Sequence, residues 1–151
     1  MFKHISVILL CVIFGWGGKI QVLKSTSREW YGGLRESGYG VDYQLIVKTR
    51  AGSDQLQIGD LWVGKLHMKI RLTPDAADPQ NKTFRSGSRI SLQAGVTFRP
   101  GPDEKIQLLS ADSLQRPINF KGEGLLVYTY KGHKAYVEIA EFTKLEKIIY
   151  P

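Results

Sequence analysis

Nothing constrains this chain more than the alternation of apolar and polar residues along it. Ile90, Leu92, Ala94, Val96 and Phe98 are interleaved with Ser91, Gln93, Gly95 and Thr97. Successive side chains of an extended strand point to opposite faces, so such a run buries one face and wets the other. Val41, Tyr43, Leu45 and Val47 repeat the pattern against Asp42, Gln44 and Lys48, with Ile46 as the break. Leu56 and Ile58 open a further run that reaches Trp62. Leu66, Met68, Ile70 and Leu72 then alternate with His67, Lys69 and Arg71. Gly64-Lys65 between those two runs reads as a hairpin loop of type II′, with glycine first.

Turn residues punctuate the runs. Ala51 to Asp54 is a turn, and Thr73 to Ser88 is a loop rich in Pro, Asp, Asn, Ser and Gly. Two prolines around Gly101 bend the chain sharply between Arg99 and Glu104, ahead of a short strand from Lys105 to Leu109. Two extended runs flank Gly132-His133. Pairing across that dipeptide sets Tyr130 opposite Ala135, Tyr128 opposite Val137 and Leu126 opposite Ile139, all on one face. Val127, Thr129, Tyr136 and Glu138 share the other, half-polar face. The tail from Phe142 is expected to be extended. About seven strands joined by Gly/Pro turns predict an all-β fold. The expected architecture is a single antiparallel β-sandwich (Ig-like), or a partly open barrel, over residues 18–151.

The first seventeen residues read differently. Lys3 is followed by an apolar run from Ile5 to Phe14, broken by Ser6, and then by Gly15, Gly17 and Gly18. Charge, short apolar core and small residues are the order of a secretory signal helix, with cleavage expected between Gly17 and Gly18. The run is shorter than the roughly 20 residues that span a bilayer, so retention as an anchor is the lesser alternative. Leu10 stands where a lipid-attached Cys11 would need a small residue, which disfavours a lipoprotein. Cys11 is the one cysteine, so the processed chain would have neither disulfide nor thiol chemistry. The 134 residues left after removing 17 of 151 are enough for a core without disulfides. The protein is expected to be exported, periplasmic or extracellular. On that reading the sequon Asn81-Lys82-Thr83 only marks an exposed loop.

The formal charge falls from +7 to +6 once Lys3 is removed, and the basic residues are dispersed. Nucleic-acid binders concentrate charge in a face or an arm, so no nucleic-acid partner is expected. One local exception is Lys65, His67, Lys69 and Arg71, which would form a basic stripe on a regular strand. Such a stripe suits peripheral contact with an anionic membrane surface, or simply guards an edge strand.

The stretch "EWYGGLRESGYG" carries glycines at 32, 33, 38 and 40. A phosphate cradle needs glycines between a strand and a helix, and here a strand follows, so the stretch is expected to be a turn between a short first strand at Glu29 to Tyr31 and the strand starting at Val41. Trp30, Tyr31, Tyr39 and Trp62 are the candidate ligand-binding residues, as flat aromatic surfaces for a sugar ring or a partner's side chains; the same residue types also fill cores. His67 and His133 lack neighbours at metal-ligand spacing, so no metal or other cofactor is expected. Asp75, Asp78 and Asn81 share a loop without a calcium-binding pattern. Ser86-Gly87-Ser88 is not a nucleophile elbow, and Asp103-Glu104 lies in a turn. No catalytic residue is assigned.

The signal, "EWYGG", "DLWVG", "KGEGLLVYTYKGHKAYVEI" and the terminal "IIYP" together resemble small uncharacterised exported β-rich bacterial proteins with no assigned activity. The resemblance implies export and a β-rich fold and transfers no functional residue. The leading expectation is a non-catalytic, exported protein that binds a protein or glycan of the cell envelope. Alternatives are a hydrolase acting on envelope carbohydrate or peptide through Asp42, Asp60 and Glu138, and a basic face that meets anionic lipid.

Overall fold

The computed structural model describes residues 18–73, 83–109 and 115–151. Their secondary structure is all-β, with one short 3-10 turn at Arg35–Ser37 and no α-helix. Eleven strands are formed among them. These are β1 (Ile20–Tyr31), β2 (Tyr39–Thr49), β3 (Leu56–Val63), β4 (Leu66–Lys69), β5 (Arg71–Leu72) and β6 (Arg89–Pro100). β7 (Ile106–Leu109), β8 (Gly124–Tyr130), β9 (His133–Ile139), β10 (Thr143–Lys144) and β11 (Ile148–Ile149) follow. The expected leader, and the loop residues Asp75, Asp78 and Asn81, lie outside the described residues.

The strands form two sheets, and neither closes into a barrel. The larger runs β10-β1-β2-β6-β5, with β11 also on β1 and β7 also on β6; the smaller runs β4-β3-β8-β9. One core lies between them. Leu45, Val47, Leu92 and Val96 enter it from the larger sheet, and Leu56, Leu61, Met68, Leu126 and Ile139 from the smaller. These are the odd positions of β2 and the even positions of β6, as alternation requires when two sheets share an interior. Full burial of each such side chain favours folding by about 1.5–3 kcal/mol. The smaller sheet has a second apolar layer on its outer face. There Trp62, Leu125 and Val127 are buried beneath Phe120 and Tyr136.

Several sequence expectations need correction. The first strand begins at Ile20, not at Glu29. Its pairing with β2 slips between Val22 and Lys24, and the resulting bulge breaks the period of two. The run from Leu66 to Leu72 is not one strand. β4 pairs with β3 in the smaller sheet, whereas β5 pairs with β6 in the larger. Ile70 forms the corner, its N–H donating to the Gly59 carbonyl. The larger sheet is mixed, because β10 and β11 both lie parallel to β1.

The β8–β9 hairpin turns at Lys131-Gly132 and not at Gly132-His133. Tyr130 therefore faces His133, Tyr128 faces Ala135 and Leu126 faces Val137. Both loop residues have positive φ, 47° and 80°, the geometry of a type I′ turn. A shift of two residues preserves the face, so all six residues expected on one side do pack with the core. At the β3–β4 hairpin, Gly64 alone takes positive φ, as a type II′ turn requires.

Candidate functional site

The glycine-rich connection between β1 and β2 positions the site. Its loop is closed by the Gly32 N–H donating to the Gly38 carbonyl at 2.8 Å. Gly38 sits at φ 74°, and a Cβ there would strike the Phe98 carbonyl. Glycine is thus required both by conformation and by close approach. The closed loop places Tyr31 and Tyr39 opposite each other as the last pair of β1 and β2.

Register carries that pair into a row across five strands. Ile149 pairs with Tyr31, Tyr31 with Tyr39, Tyr39 with Phe98, and Phe98 with Leu108. The row continues the inner face of the larger sheet past the end of the core. Val96 is 2% exposed, whereas Tyr39, one rung further on β2, is 41% exposed. Leu34, Ile106, Ile149 and Tyr31 around it are exposed as well. Tyr31, Leu34, Tyr39, Pro100 and Ile106 line a shallow hollow of about 440 Å³.

The rings are stacked along the row. Tyr31 and Tyr39 centroids are 6.2 Å apart at 21°, and Tyr39 and Phe98 are 5.2 Å apart at 20°. Lys147 approaches the Tyr31 ring at 5.9 Å, and the Tyr31 hydroxyl reaches Glu29 Oε2 at 3.4 Å. Stacked rings cover one another's faces, so the row offers edges and hydroxyls outward, as a ridge and not a platform.

On the opposite face of the same sheet, Trp30 lies across Gly40, where a Cβ would come within 2.8 Å of its ring. The Tyr150 ring meets Trp30 edge-on at 6.4 Å. Trp30, Ser37, Asp42, Arg99 and Tyr150 line a second open hollow of about 430 Å³. Partial burial raises the Asp42 carboxyl above its usual range, while Arg71, a hydrogen bond with the Trp30 side chain and Arg28 pull it back. The Arg28 Nε is buried without a hydrogen-bond partner.

The four candidate aromatics therefore separate. Tyr31 and Tyr39 share the ridge, Trp30 is on the other face, and Trp62 is buried in the smaller sheet beneath Phe120. The basic residues Lys65, His67, Lys69 and Arg71 are divided too. Lys65 sits in the β3–β4 turn, and Lys69 pairs in register with Asp60. The His67 ring lies 4.9 Å from Trp62, with its Nε2 3.2 Å from Asp60 Oδ2. Arg71 belongs to the other sheet.

Nor do the three candidate acids converge. Asp42 is on β2 of the larger sheet, Asp60 is engaged by His67, and Glu138 accepts the backbone N–H groups of Lys121 and Gly122. Asp103 accepts the Lys105 N–H within its turn, and Ser88 Oγ accepts the Arg85 N–H. Among the described residues no group of three His, Cys, Asp or Glu side chains is placed to hold a metal ion.

Sequence reasoning missed Leu34, Ile106 and Ile149 as parts of the exposed surface, and the half-buried Phe98 as the base of the ridge. Phe98 ends the clearest alternating run, and the end of such a run is where sheet cover stops; that was the available signal. Comparison with known proteins returns no matching family model, no matching curated protein and no matching solved structure.

Proposed function

We propose that this is an exported, non-catalytic β-sandwich of the cell envelope that binds another protein through the Tyr31–Tyr39–Phe98 ridge. The observation that carries the reading is the gathering of five exposed large apolar residues, Tyr31, Leu34, Tyr39, Ile106 and Ile149, at one end. Contiguous exposed apolar surface marks interaction sites, whereas single scattered residues do not. Ring orientation favours a protein over a glycan. Sugars stack on ring faces, and here both faces of Tyr39 and one face of Tyr31 are taken by neighbouring rings; a partner's aliphatic and aromatic side chains pack against edges and hydroxyls equally well. The separation of Asp42, Asp60 and Glu138 gives the hydrolase alternative no support.

A photo-crosslinking residue at Leu34, in cells that produce the protein, tests this. Cross-links to one discrete partner are expected from Leu34 and not from Lys24, which is exposed on β1 well away from the ridge. The double variant Tyr31→Ser, Tyr39→Ser should abolish them. Equal cross-linking from Lys24, or retention in the double variant, would overturn the assignment.

A further inference from the structure

The opposite end of the sandwich is basic. There the start of β1 meets the end of β2, with the Arg50 N–H donating to the Lys19 carbonyl at 2.8 Å. Lys48 stands directly opposite Arg89 in the β2–β6 register. Arg85 is held at the same end by its carbonyl, which accepts from Thr49 Oγ1 at 3.2 Å. Lys131 turns the β8–β9 hairpin, and its N–H donates to the Gln55 carbonyl. The ammonium groups of Lys19 and Lys131 lie 4.9 and 5.3 Å from the centroid of one ring, Tyr130.

Among the described residues, these six cations share their end with one carboxylate, Asp54. None of the six forms an ion pair with a described acid. Glu36, Asp103, Glu104, Glu123 and Glu146 lie toward the other end, and Glu141 lies beside Ser25 in the middle of β1. Two features of the basic end carry a local cost when it is empty. Like charges directly opposite across a ladder repel, as at Lys48 and Arg89. Lys131 also occupies a left-handed position, φ 47°, which Asn or Gly would adopt with less strain. An anionic surface laid against this end relieves the first cost and makes use of the charge retained at the second.

The way the chain enters the fold identifies that surface. Lys19 is tied in on both sides, since its N–H donates to the Tyr128 hydroxyl at 3.2 Å and its carbonyl accepts from Arg50. Ile20, the next residue, is buried. The apolar run Ile5 to Phe14 thus ends five residues before a fixed point of the domain. Five residues span about 18 Å at full extension. Whenever that run is held in a bilayer, during transit or as an anchor, the basic end is brought to the headgroups.

We propose that the end formed by Lys19, Lys48, Arg50, Arg85, Arg89 and Lys131 is a docking surface for anionic phospholipid headgroups, and that it orients the sandwich with the aromatic ridge pointing away from the membrane. The assignment is independent of what the ridge binds. Each basic residue near an anionic surface raises partitioning roughly fivefold, and the effect fades beyond a Debye length of about 10 Å.

The test is vesicle co-sedimentation of the full chain, on phosphatidylcholine alone and on phosphatidylcholine mixed with phosphatidylglycerol. The neutral vesicles report what the leader contributes. Stronger partitioning to the mixed vesicles is expected, suppressed between ~0.05 and ~0.5 M salt. The triple variant Lys48→Gln, Arg50→Gln, Arg89→Gln should lose at least tenfold of that increment. The variant Lys65→Gln, Lys121→Gln, Lys144→Gln carries the same net charge and should lose much less. Circular dichroism of both variants verifies that the fold is retained. No increment on anionic vesicles, or equal loss in the two variants, would overturn the proposal. So would binding to soluble polyphosphate without any vesicle increment, which assigns the end to a free polyanion.

Discussion

Tyr31 and Tyr39 stand opposite each other at the last rung of β1 and β2, with ring centroids 6.2 Å apart and planes 21° apart. Tyr39 also stacks on Phe98 at 5.2 Å, so its ring is held on both faces, whereas that of Tyr31 is held by a neighbouring ring on one. The ridge therefore has a middle and an end, and its two tyrosines are not equivalent.

Tyr39→Ala should be the more damaging change. It removes two ring pairs, each worth ~0.5–1.5 kcal/mol beyond area burial, while Tyr31→Ala removes one. Urea denaturation is expected to show the larger drop in midpoint for Tyr39→Ala, with unchanged slope. Equal midpoints would mean that the stack does not act as a row.

Phe120 is the lid over Trp62. Phe120→Ala should expose the indole without unfolding the main core, at a cost of about 3 kcal/mol or less, because Phe120 is only partly buried. With Trp16 and Trp30 replaced by Phe, Trp62 is the sole tryptophan, and its emission should move to the red and become open to iodide quenching. An emission spectrum that does not change would place the cover elsewhere.

The hairpin at Lys131-Gly132 leaves room for improvement. Asn-Gly is the favoured type I′ dipeptide, since Asn tolerates left-handed backbone better than Lys. Lys131→Asn should raise stability by ~0.5–1 kcal/mol in thermal or urea unfolding. A loss of stability would show that the lysine's contact with Tyr130 outweighs the strain of the turn.

Asp42 sets a pH dependence of unusual direction for a carboxylate. Its folded-state pKa is raised above the ordinary aspartate value, chiefly by partial burial. The folded protein therefore binds more protons than the unfolded chain just above that value, and stability falls as pH rises through the window. Asp42→Asn removes the dependence and should stabilise the protein at neutral pH, by no more than a few tenths of a kcal/mol given its solvent exposure. The gain should vanish in acid. A variant less stable at neutral pH than the parent would show that the arginines Arg28 and Arg71 need the charge.

Alternation made the two-layer fold legible from β2 and β6, where one face packs on the core and the other is the more exposed. It failed for β1 because the bulge near Leu23 changes which parity faces inward, and because two of the residues buried there are Thr26 and Ser27. It also failed at Ile70, since a strand that changes sheets keeps its alternation while changing partners. The hairpin register slipped by two because Gly132-His133 was read as the loop, whereas Lys131 and Gly132 are the two residues with left-handed backbone. Tyr31 and Tyr39 were legible as candidate aromatics by residue type, whereas their exposure was not. Their neighbours were not, because Ile149 and Phe98 reach them only through strand order, which a linear pattern does not encode.

β1 has its outer neighbours among the last residues of the chain. Thr143 and Lys144 flank Thr26 and Ser27, and Ile148 and Ile149 flank Trp30 and Tyr31. The edge of β1 away from β2 cannot be covered until the segment 143–149 reaches it. A version cut before Thr143 would leave that edge bare and open to pairing with another chain.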